Sequence, residues 1–128
     1  MGTKSIDKNK GERLLTAKYP MNTKEGVNTF LNNYHALKSG AYYQSDFDAL
    51  IMLIDFDFAL MYSGLTDREL YVIAKVFNED LKQVDVAELI GVTKQTIQTN
   101  INRATEKLAK YYEESGDYND VADSEETI

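Results

Sequence analysis

Apolar residues recur three and four positions apart through most of this chain, a spacing that predicts an all-α domain of about five helices. In the first stretch Val27, Phe30, Leu31, Tyr34 and Leu37 share one face. That helix should begin at Asn22, with Glu25 reaching back as in a capping box, and stop at Gly40. The second stretch, residues 45–63, has two apolar faces. Phe47, Leu50, Ile51, Ile54, Phe58, Met61 and Tyr62 form a wide stripe, and Leu53, Phe56 and Leu60 a narrower one on another side. Acidic seams run between them, Asp48 and Asp55 on one side, Asp46 and Asp57 on the other. Such a helix is either sandwiched inside the domain or offers its second stripe to a partner, so Leu53, Phe56 and Leu60 are the candidate homodimer face. The third stretch opens at Thr66 and Glu69, a capping box with Leu65 and Leu70 placed as a hydrophobic staple. Its inward stripe is Leu70, Ile73, Ala74 and Phe77, ending near Asn78.

Residues 81–112 read as a helix, a tight turn and a longer helix. In the first of these Val84, Ala87 and Leu89 or Ile90 point inward, with the small Ala87 where two helices approach closely. Gly91 supplies the left-handed conformation that ends the helix, Val92 plugs the angle and Thr93 caps the longer helix. Ile97, Ile101, Ala104, Leu108 and Tyr111 then keep one stripe by steps of four, three, four and three. That is the pattern of a helix-turn-helix.

Composition changes this picture in two respects. The chain has 128 residues, 43% of them hydrophobic, enough for one modest core. It has no cysteine, which excludes disulfides, thiolate zinc sites and cysteine nucleophiles and fits a reducing cytoplasm. A net charge of −7 argues against nucleic acid at first sight, yet its distribution removes the objection. Residues 1–112 carry all fourteen Lys and Arg and fourteen of the acids; the other seven acids lie in residues 113–128. That acidic end predicts a disordered tail, and residues 1–21, with Lys4, Lys8, Lys10, Arg13 and Lys18, predict a flexible basic arm. Residues 22–64 and 65–112 between them predict a packing or dimerising helical pair and the helix-turn-helix unit.

Candidate chemistry is sparse. His35 is the only histidine, no cysteine can join it, and Asp55 and Asp57 face opposite ways on one helix, so neither a metal site nor a cofactor is expected. No phosphate-binding glycine loop or catalytic constellation can be assembled, which predicts a protein that is not an enzyme. The longest apolar run, residues 49–54, is far too short to span a bilayer.

The segment LTDRELYVIAKVFNEDLKQVDVAELIGVTKQTIQTNINRATEKLAKYY, residues 65–112, resembles region four of bacterial RNA polymerase sigma factors, and more closely the short region-four-like proteins of phages and mobile elements. The matching parts are residues 65–69, the acidic Glu79 and Asp80, residues 87–91, Val92 with Thr93, and the helix from Lys94. The resemblance implies that this helix enters the major groove of double-stranded DNA and that RNA polymerase is a partner. The face it offers is Lys94, Gln95, Thr96, Gln98, Thr99, Asn102 and Arg103, with only two charges where the family usually has several. Gln and Asn pair with adenine edges and Thr meets thymine methyls, which predicts an A·T-rich site. Lys107 and Lys110 are read as peripheral phosphate contacts, and Lys82 and Arg68 as backbone anchors for the preceding helices. No promoter-melting region is evident, so the chain is not expected to be a complete sigma factor. Two functions remain open: a sequence-specific transcription regulator, or an adaptor or inhibitor that binds polymerase, a sigma factor or another regulator through the same surface.

Overall fold

The computed structural model describes residues 18–115, which form six α-helices and one π-helical turn. They are α1 (Lys24–Asn32), α2 (Tyr34–Tyr43), α3 (Phe47–Tyr62), α4 (Asp67–Ile73), the π turn (Ala74–Asn78), α5 (Gln83–Ile90) and α6 (Lys94–Ser115). The fold is all-α, and no strand occurs among the described residues.

Helix α6 organises the packing, because α1, α3, α4 and α5 all lie against it. Its buried positions, Ile97, Ile101, Ala104, Leu108 and Tyr112 among them, run the length of one face. They serve two clusters in turn. The first half closes a small core with Val72 of α4 and Val86 and Ala87 of α5. The second half joins the larger core, where Phe30 and Phe56 rings lie 4.7 Å apart and the Tyr19 ring meets Phe30 edge-on at 5.9 Å.

The local starts and stops explain most helix boundaries. The expected capping box of α4 is present: Thr66 N donates to Glu69 Oε1 at 2.9 Å, and Glu69 N donates to Thr66 Oγ1 at 3.1 Å. After Ile73 the ladder widens to the π turn, with Glu79 N donating to Ala74 O at 2.9 Å, and Asp80 at φ 62° redirects the chain into α5. Gly91 has the left-handed φ 72° and ψ 37° expected of it.

Several expectations need correction. The first helix is two. Asn33 leaves helical geometry and its side-chain amide donates to Thr29 O at 2.9 Å, the local competition with the backbone that asparagine favours. Its cap is Thr23, whose Oγ1 accepts from Gly26 N at 3.0 Å, and not Asn22. Gly40 does not stop α2, which continues to Tyr43. In α5, Val86 is buried while Val84 and Leu89 face outward. In the third stretch Val72 is buried and the expected Ala74 is exposed, and α6 buries Tyr112 rather than the expected Tyr111.

The largest correction concerns α3. Leu53 and Phe56 are 5% and 1% exposed, and Leu60 is half-buried against the same core. The candidate dimer face is therefore the inward face. Ala49 and Ala59, both fully buried, flank it and let α2 and α6 approach closely, which no large side chain there would permit. The wide stripe points outward except at Leu50, which is half-buried against the core.

The ends differ from expectation as far as they are described. Tyr19 and Met21, at the end of the expected arm, are 2% and 0% exposed, and Pro20 packs on Gly26 of α1. Glu113 and Glu114, at the start of the expected tail, continue α6. The remaining arm and tail expectations, residues 1–17 and 116–128, lie outside the described residues.

Candidate nucleic-acid interface

The turn between α5 and α6 is held by a backbone bond on one side and a side-chain cap on the other. Val92 N donates to Ala87 O at 2.9 Å, closing the end of α5, and Thr93 Oγ1 accepts from Thr96 N at 3.1 Å, opening α6. With Ile97 and Ile101 pinned on Val86 and Ala87, the opposite face of the first half of α6 must look outward.

That face carries most of the predicted site. Lys94, Gln95, Gln98 and Arg103 are exposed, and Thr99 and Asn102 are half-buried beside them. Gln98 Nε2 donates to Asn102 Oδ1 at 3.2 Å, one turn apart, so the two amides present a joined donor and acceptor edge. Thr96 is placed differently: its hydroxyl lies 3.0 Å from Thr93 Oγ1 and belongs to the helix start.

The charges separate into free and committed groups. Lys82, Lys94, Arg68 and Arg103 form no ion pair with another described residue. Lys107 is committed: its Nζ donates to Glu69 Oε1 at 2.8 Å and to Gly64 O at 3.4 Å. The Glu69 side chain is 5% exposed, so withdrawing Lys107 to a phosphate would strand a buried carboxylate. Burial raises the Glu69 pKa, but the bonds from Lys107 and Thr66 outweigh it and hold the carboxyl below its usual 4.5. Lys110 lies 4.0 Å from Glu114, and Lys24 reaches Glu106 at 3.5 Å. In residues 81–103 three bases meet two acids, Asp85 and Glu88, both exposed on α5.

A groove of about 510 Å³ beside this face brings together residues that the sequence keeps apart. Lys82 and Lys94 line it with Asn32 and His35, and Leu81 and Phe77 form part of its floor. By sequence His35 is an isolated histidine in an exposed or interfacial place. No spacing in the sequence links it to Lys82; the π turn, which packs on both α2 and α5, does. Arg68, on α4, does not line this groove.

Among the described residues no three His, Cys, Asp or Glu side chains gather as a metal site, and no helix is long and apolar enough to cross a membrane.

A three-helix core ending in a capped, outward-facing amide helix defines a helix-turn-helix protein. The family model described as "Putative helix-turn-helix protein, YlxM / p13 like" matches residues 49–123, more than half of the chain, and the chain belongs to that family. The match starts in α3, upstream of the segment that resembles sigma region four. No curated protein and no solved structure matches.

Proposed function

We infer that this protein is a sequence-specific DNA-binding regulator of transcription, encoded by a phage or mobile element and working in the cytoplasm, and that it is not an enzyme. The observation that carries the reading is the outward face of α6, where Gln95, Gln98, Thr99 and Asn102 form a polar edge without a partner from another helix among the described residues. Laid in a major groove, this edge reads adenine through amides and thymine methyls through Thr99. Lys94 and Arg103 bracket it, and Lys82 follows the backbone. The likeness of residues 65–112 to sigma region four supports a contact with RNA polymerase on the same DNA.

The test is selection of bound duplexes from a random pool, with and without RNA polymerase. An A·T-rich motif that is lost in Gln95→Ala and Gln98→Ala supports the reading, at about 1–3 kcal/mol per lost bidentate contact. Selection without any motif, or a motif untouched by both substitutions, overturns it.

A second reading is favoured by the shortage of free cations among the described residues. With Lys107 held by Glu69 and with Asp85 and Glu88 exposed on α5, the unit has the electrostatics of a protein-binding adaptor or inhibitor as much as those of a DNA reader. Polymerase subunits or a sigma factor retained on the immobilised protein after nuclease treatment would favour this alternative.

A further inference from the structure

The outward stripe of α3 is the largest feature that the helix-turn-helix leaves unused. Phe47, Ile51, Ile54, Phe58 and Met61 follow steps of four, three, four and three, with Tyr62 alongside, and they are 37–68% exposed. This is a heptad seam on the side of the helix opposite Leu53 and Phe56. Nothing among the described residues covers it. It is not required to hold α3 in place, since Ala49, Leu53, Phe56 and Ala59 already anchor the helix.

We propose that a second copy of this chain covers the stripe, α3 crossing α3 antiparallel about a two-fold axis. The order of side chains is self-complementary, as an isologous contact requires. Phe47, Ile51, Ile54 and Phe58 read the same from either end, so an antiparallel partner sets Phe47 against Phe58 and Ile51 against Ile54. The area also fits. The six side chains expose on the order of 600 Å², and Tyr42 and Tyr43, 63% and 85% exposed just before α3, bring each copy toward the roughly 800 Å² per partner of a standard interface.

The border of the stripe sets the character of the contact. Asp46, Asp48 and Asp57 are exposed or half-buried on this helix, and no Lys or Arg lies between Lys38 and Arg68. Two copies therefore meet with the same sign at the rim, a screened repulsion that the apolar centre outweighs. Added salt strengthens this dimer, whereas it weakens DNA binding. A basic amphipathic helix of another protein, the competing occupant, would be released by salt instead.

The surface stands without the DNA reading; its role of pairing two recognition helices rests on that reading. Sedimentation of the full chain across the micromolar range, at low and high salt, tests it. A monomer–dimer equilibrium that tightens with salt is expected. Ile54→Gln and Phe58→Gln should weaken it by roughly 30-fold or more with unchanged helical circular dichroism, while Leu89→Gln, at an exposed site on α5, leaves it intact. If a variant loses helicity, Met61→Gln, at the most exposed stripe position, replaces it. A chain that stays monomeric, a dimer unaffected by the stripe substitutions, or binding only to a basic helical peptide overturns the proposal. If dimers form but no duplex is selected, the DNA reading fails and the interface survives.

Discussion

Glu69 shows how one side chain decides the roles of others. Its carboxylate closes the α4 capping box and holds Lys107, so a residue expected on DNA is tied to α4 instead. Because its pKa is lowered on folding, its contribution is fully present above the unfolded value near 4.5 and is lost as pH falls through the lower folded value. Thermal unfolding followed from neutral to acid pH should show Glu69→Gln less stable than the parent by about 2 kcal/mol at neutral pH, with the gap closing in acid. A gap that widens in acid would refute this linkage. The capping box was legible because Thr66 and Glu69 are three residues apart; the Lys107 bond, 38 positions away, was not.

At the scale of elements, the turn at Gly91 and the entry to α1 test two different uses of glycine. A Cβ at Gly91 meets nothing within 4 Å, so Gly91→Ala suffers only the strain of its left-handed backbone and should cost about 1 kcal/mol in urea unfolding. A Cβ at Gly26 runs into the Pro20 carbonyl, so Gly26→Ala should cost about 2 kcal/mol or more and loosen residues 19–21 from the core. Equal costs at both positions would contradict the docking of Pro20 on α1. Residues 1–21 read as an arm because their bases outnumber their acids and Gly2, Gly11 and Pro20 break any periodicity; burial of Tyr19 depends on Phe30 of α1, which composition does not see. Periodicity likewise gave α3 two apolar faces. It could not rank them, because the choice is made by which neighbours have room, and Ala49 and Ala59 provide that room only on the side of Leu53 and Phe56.

For the whole molecule, few free positive charges face outward around the helix-turn-helix. With Lys82, Lys94, Arg68 and Arg103 as the available cations among the described residues, these residues should make the logarithm of DNA affinity fall against the logarithm of salt with a slope no steeper than about −4 per chain. Filter binding or fluorescence anisotropy over a salt series measures it. A steeper slope that reverts when Lys4, Lys8, Lys10 and Arg13 are neutralised would assign the excess to the chain start. Dimerisation through α3 would double the number of contacts per complex without changing that limit per chain.

The sequence by itself determined the helical class, the α4 capping box, the left-handed turn at Gly91, and the buried stripe of α6 from Ile97 to Leu108, because each depends on residues within one or two turns of each other. The same local rule made the polar face of α6 legible. Tertiary structure decided which stripe of α3 is core, that Lys107 is held by Glu69, that Asn32 and His35 join Lys82 and Lys94 along one groove, and that Tyr19 and Met21 are interior. Each of these is a choice between faces or partners that satisfy the local pattern equally. Only the close packing of α1, α3, α4 and α5 around α6 separates them.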